Sequence, residues 1–102
     1  MDAFLAGPPA TRDSRFVKPE AVSWRDIPGE IVVFDARSGA YHALNPSAAE
    51  IWRALSAGLS AGATIDRLAA RFGVDRAGIE RDVAEFITLA LTEGLLLPDP
   101  GR

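Results

Sequence analysis

The chain of 102 residues contains no cysteine and a single histidine. The first absence removes disulfides, thiolate nucleophiles and thiolate-held zinc or iron–sulfur clusters. It agrees with a reducing cytosol, and a cytoplasmic location is the expectation. The second absence leaves His42 to build any metal site with carboxylates alone. Asp66, Asp75, Glu80, Asp82 and Glu85 lack the spacing of an acidic metal loop with its turn glycine, and they read as a solvated helix face. Neither a metal nor a cofactor is expected. His42 lies next to no Gly-x-Ser-x-Gly elbow, and Ser47 sits where helix capping alone places hydroxyls. Gly58, Gly62, Gly73 and Gly78 form no phosphate-cradling loop behind a strand. An enzyme is therefore not expected.

Positive charge is also in short supply. The formal net charge is -3, and no run of Lys and Arg offers a field for nucleic acid or an anionic membrane. Long apolar runs are missing too. A stretch such as residues 95–97 falls far below the ~20 residues that a membrane helix needs. The N-terminus lacks the basic flank and apolar core of a secretory signal. What remains is ordinary for a soluble single domain, with 48% hydrophobic and 25% charged residues.

Residues 1–15, with Gly7-Pro8-Pro9 and no apolar periodicity, read as a flexible N-terminal arm, and residues 16–98 as the domain. Residues 21–27 alternate imperfectly, with Val22, Trp24 and Asp26 on one face, and predict a first strand. Pro28-Gly29 turns the chain. Residues 31–35, β-branched and aromatic, predict a second strand. Residues 36–39, ending in Gly39, supply a hairpin turn, and residues 40–44 return as a third strand.

Three helices follow. Asn45 is a candidate N-cap with Pro46 at the first helical position. Ala48, Ile51, Trp52 and Leu55 then form an apolar stripe that ends near Ala57-Gly58. Residues 60–63 read as a loop before a second helix, which opens at Thr64, carries Ile65, Leu68, Ala69 and Phe72, and stops at Gly73. Asp75 opens the third helix, which carries Ile79, Val83, Phe86, Ile87, Ala90 and Leu91 and ends at Gly94. Residues 95–97 lead out, and Pro98 stops regular structure. A three-stranded antiparallel sheet followed by three helices, the last two linked by Gly73-Val74, predicts an α+β, winged-helix-like fold.

Two features mark binding surfaces. If the sheet runs in sequence order, its third strand lies at the edge. That strand carries no charge or proline to blunt pairing. A peptide could add there as a further strand, although the N-terminal arm or a second copy could equally cover the edge. The second feature is the third helix. Its apolar residues, Leu89 and Ala84 included, spread over more than half the circumference, wider than the ~100° stripe that one core needs. Contact with the other helices accounts for the excess equally well.

Tyr41-His42-Ala43-Leu44-Asn45-Pro46-Ser47-Ala48-Ala49-Glu50-Ile51-Trp52 is similar to the strand-to-helix junction of the PqqD-like family. Those proteins are precursor-peptide recognition elements. Thr64-Ile65 with Leu68-Ala69, and Asp82-Val83 with Phe86 and Leu89, resemble that family's second and third helices. The likeness spans roughly residues 22–97. It implies a winged-helix-like domain that binds the leader segment of a ribosomally made precursor peptide as an added strand. The leader's side chains then lie between the third strand and the third helix.

The resemblance further implies presentation of the precursor to a partner, either a radical S-adenosylmethionine enzyme in quinone-cofactor synthesis or a leader peptidase in lasso-peptide synthesis. By position, Ala40, Tyr41, His42, Ala43 and Leu44 would form the pairing edge. Asp82, Val83, Phe86 and Ala90 would form the helical wall, with Asp82 facing a basic leader group. The loop at residues 60–63 departs from the shorter turn usual in the family. The alternative is a winged-helix DNA-binding regulator. Charge opposes it, because Arg76 and Arg81 share the third helix with Asp75, Glu80, Asp82 and Glu85.

Overall fold

The computed structural model describes residues 11–28, 30–73 and 75–99. Residues 1–10 of the arm expected over residues 1–15, the turn glycine Gly29 and the linking Val74 lie outside the described residues. The elements run β1 (Phe16–Val17), β2 (Val22–Ile27), β3 (Glu30–Asp35), β4 (Ala40–Leu44), α1 (Pro46–Ser56), α2 (Ala61–Phe72), α3 (Arg76–Glu93) and β5 (Leu97–Pro98). The main sheet is antiparallel in the order β2-β3-β4, so the strand expected at the edge is there. With three helices following the sheet, this is the α+β arrangement expected, and it fits a winged-helix-like fold.

The register explains which face is buried. Val22 lies opposite Asp35, Trp24 opposite Val33 and Asp26 opposite Ile31; on the other side Ile31 meets Leu44, Val33 meets His42 and Asp35 meets Ala40. These residues share the face turned to the helices, where Val22, Ile31, Val33 and Leu44 enter the core. Asp26, exposed at the rim of that face, takes a forked ion pair from Arg53 of α1 (2.8 and 3.0 Å). The fork holds the Asp26 carboxyl below the usual carboxylate range. Such exposed pairs fix geometry more than they add stability.

α1 begins as its sequence predicts. Asn45 Oδ1 accepts from the Ala48 amide at 2.8 Å, and Pro46 takes the first turn, where its missing donor costs nothing. α2 starts earlier than Thr64. Ser60 Oγ accepts from the Ala63 amide at 3.1 Å, and residues 61–63 form the first helical turn. The Ala61 and Gly62 amides donate to the carbonyls of Ser14 and Arg12, both at 2.9 Å. Half the cap thus comes from a distant segment, and residues 60–63 are not a loop.

Arg12 also pairs with Asp66 of α2, which Arg76 of α3 contacts in turn. Arg76 first and Arg12 second hold the Asp66 carboxyl below its ordinary value. Phe72 was expected on the buried stripe of α2. It instead lies half-exposed in the last turn, with the Arg71 guanidinium 5.3 Å from its ring centre. Thr64 and Leu68 carry the burial of that helix.

Among the described residues regular structure does end at Pro98, but Leu97 and Pro98 themselves form a strand. β1 and β5 form a two-stranded ribbon, Phe16 opposite Pro98 and Val17 opposite Leu97, where proline is tolerated because the ribbon is all edge. Phe16, Leu95 and Leu96 are buried and close the core from that side.

Candidate functional site

β4 is bounded by the turn at residues 36–39 on one side and by the Asn45 cap on the other. Its outer edge pairs with no strand among the described residues. Hydrogen-bonding parity fixes which of its groups face outward. The Ala36 amide donates to the Ala21 carbonyl at 2.9 Å, so that position of the chain turns its polar groups toward β2. Alternation along β3 then turns Ile31, Val33 and Asp35 toward β4, and their partners Leu44, His42 and Ala40 toward β3. The free amides and carbonyls of the edge therefore belong to Tyr41 and Ala43.

Side chains divide the opposite way. Ala40, His42 and Leu44 point to the helix side, and Tyr41 and Ala43 point to the open face. Tyr41 is 73% exposed and rests on Phe34 with ring centroids 4.7 Å apart. A strand added to β4 would send the residue opposite His42, and those two positions either side of it, toward α3.

α3 meets α1 through aromatic packing. Phe86 stands edge-on to Trp52 of α1 at 6.4 Å, and Trp52 stands edge-on to Trp24 of β2 at 6.3 Å. The margin of α3 bearing Phe86 is thus turned to α1, which itself packs on the sheet. At 100° per residue, Asp82, Phe86, Leu89 and Glu93 follow one another along that margin. The opposite margin faces α2, where Ala61, Ile65, Val83, Ala84 and Ile87 line a hollow of about 210 Å³.

The expected wall residues do not all lie alike. Asp82 is exposed, Phe86 is 7% exposed, and Val83 and Ala90 are buried in the core. Leu89, which the site expected from the sequence omits, is half-exposed on the margin of Asp82 and Phe86. Its spacing of seven from Asp82 and three from Phe86 was the signal available.

β4 and α3 make no broad contact with one another; α1 packs against both and floors the space between them. The turn joins them at one end. Arg37 donates its backbone amide and Nε to Asp35 Oδ1, both at 2.9 Å, and Nη2 to Oδ2 at 3.1 Å. The same Nη2 donates to the Gly94 carbonyl at the end of α3, at 2.7 Å. The Arg37 side chain, then its amide, holds the buried Asp35 carboxyl below its ordinary value.

The family model described as "Coenzyme PQQ synthesis protein D (PqqD)" matches residues 30–96, which include β3, β4 and all three helices. The chain belongs to the PqqD family. Two solved structures share the fold of this PqqD-family protein. One, described as lasso peptide synthetase B1 complexed with the leader peptide, is 32% identical over 82% of this chain and 99% of its own, with a TM-score of 0.74. The other, TbiB1 in complex with the TbiA(beta) leader peptide, is 29% identical over 78% of this chain and 92% of its own, with a TM-score of 0.73. A comparison with curated proteins found no match.

A separate concavity of about 520 Å³ lies between α1 and α2 of the PqqD-family chain, ringed by Glu50, Arg53, Arg67 and Arg71. Glu50 joins its walls by accepting from Arg53 at 3.0 Å and Arg71 at 2.8 Å. Among the described residues, no group of His, Asp or Glu is placed to hold a metal ion. No described helix is long and apolar enough to cross a membrane.

Proposed function

We propose that this protein binds the leader segment of a ribosomally synthesised precursor peptide as an added strand on β4 and presents it to a partner enzyme. The observation that carries this reading is the unpaired, uncharged edge of β4 in a chain whose two structural neighbours are both leader-peptide complexes. Main-chain pairing with Tyr41 and Ala43 supplies affinity that tolerates sequence. Selectivity comes from side chains that enter the space between Ala40, His42, Leu44 and the Asp82-Phe86-Leu89 margin.

Val83 and Ala90 support that margin from inside the core, since their burial leaves them no open surface. Asp82, exposed at the rim, favours a basic leader residue and acts chiefly on association rate and selectivity. The protein acts as a peptide chaperone, and the covalent chemistry belongs to the partner. Likeness to lasso peptide synthetase B1 favours a lasso-peptide pathway, with a leader peptidase as partner, over quinone-cofactor synthesis. The exposed acidic residues Asp75, Glu80, Asp82 and Glu85 along α3 weigh against a DNA-binding regulator.

Calorimetric titration with a synthetic copy of the cognate precursor's leader tests the reading. The expected result is saturable one-to-one binding with a negative heat-capacity change, from apolar burial in the groove. A flat titration with the leader, beside saturable binding of duplex DNA, would reverse the assignment.

A further inference from the structure

We propose that Arg37 is a positioning residue for the peptide groove, clasping the β3–β4 turn to the C-terminal end of α3 and so fixing the separation of the pairing edge from the helical wall. The inference rests on the peptide-binding reading above. A bound leader must pair with β4 and pack against α3 at once, so any freedom between the two walls is lost on binding and weakens it. The two walls make no broad contact of their own. α1 sets their spacing along the floor, and the Arg37 clasp sets it at the turn end, beside Ala40.

The clasp is built on both sides. Asp35 is 6% exposed and uses both carboxylate oxygens to hold the guanidinium in one plane, a forked geometry that only arginine can adopt. Gly94 ends α3 in the left-handed region at φ 74°. Its carbonyl, beyond the reach of intrahelical donors, receives the cation at the negative pole of the helix. A methyl group at Gly94 would stand 3.1 Å from Arg37 Nη2, so a side chain there would crowd the clasp. With Asp35 buried, the half-exposed Arg37 cation is the partner of a carboxylate oxygen that would otherwise lie buried and unpaired, so it also contributes to stability. Its effect on the angle between turn and helix is direct.

The test uses the full chain and a synthetic copy of the cognate precursor's leader. Dissociation constants are measured for the native protein, Arg37→Ala and Arg37→Lys, with thermal melts and amide exchange of each complex. Arg37→Ala is expected to raise Kd about tenfold, the scale of one lost hydrogen bond to a charged group, in a protein that still folds but melts at a lower temperature because buried Asp35 loses its partner. Arg37→Lys reaches the Gly94 carbonyl but cannot fork onto Asp35, and its Kd should fall between the other two. Peptide-induced protection should drop at Tyr41, near the clasp, and persist at Ala43.

Native affinity in folded Arg37→Ala overturns the clasp while leaving peptide binding intact. Equal loss at Tyr41 and Ala43 also overturns it, because the residue would then serve stability alone. If Arg37→Ala does not fold, native Kd and native protection at Tyr41 in Arg37→Lys overturn it. No binding by the native protein removes the peptide-binding reading itself, and this inference with it.

Discussion

Trp52→Ala is expected to cost about 3–5 kcal/mol of folding stability, the range for deleting a fully buried large aromatic side chain. Trp52 is 0% exposed and meets Trp24 on the sheet and Phe86 on α3, so one ring joins three elements. Its removal leaves a void at the point where sheet and helices converge, and no neighbouring side chain can fill it without leaving its own contacts. Domains of this size have only about 5–15 kcal/mol in total, so the variant should lose a large share of its stability. At roughly 4–8 °C per kcal/mol, the melting temperature should fall by more than about 12 °C.

Trp52→Phe should be much milder. It keeps an aromatic ring in place and deletes the buried indole Nε1–H, which has no hydrogen-bond partner among the described residues. Urea unfolding followed by circular dichroism measures both variants. A loss below about 1 kcal/mol for Trp52→Ala would show that the ring is not the keystone inferred from its burial.

Ala43→Pro is expected to weaken leader binding by more than about tenfold while leaving the sheet folded. The amide removed is one of the two on β4 that face outward, so the β3–β4 ladder keeps its bonds. One lost main-chain hydrogen bond is worth about 1 kcal/mol, and the ring's bulk against the incoming strand takes the effect past the 1.4 kcal/mol that corresponds to tenfold. His42→Pro is a different experiment. Its amide points to Val33, so proline there breaks the hairpin and lowers binding through unfolding. Calorimetry with circular dichroism separates the two, and native affinity in folded Ala43→Pro would remove the edge from the site.

The contrast between His42 and Ala43 marks how far the sequence could be read. The bounds of β4 were legible because turn residues precede it and Asn45-Pro46 ends it. The caps Asn45, Asp75 and Gly94 were legible for the same reason: each acts on amides or carbonyls within a few residues. Parity at the edge was not. It depends on the bond from Ala36 to Ala21, which pairing with β2 decides.

The early start of α2 was hidden likewise, since its first amides are satisfied by Arg12 and Ser14, far away in the chain. β1 and β5, two residues each, are too short to carry a period. The apolar excess on α3 was visible but not its meaning. Packing divides that excess among the core (Val83, Ile87, Ala90), the contact with Trp52 (Phe86) and the half-exposed margin (Leu89).

Addition of a leader as a strand on β4, as proposed, would change which amides of that strand meet water. Amide hydrogen exchange of the native protein, read residue by residue with and without saturating synthetic leader, tests it most directly. His42 and Leu44, already bonded to β3, should be protected in both states. Tyr41 and Ala43 should exchange freely alone and become protected in the complex, and the amides of Arg67 and Arg71 by the α1–α2 concavity should not change. New protection around that concavity, with Tyr41 and Ala43 still exchanging freely in the saturated complex, would rule out strand addition on β4.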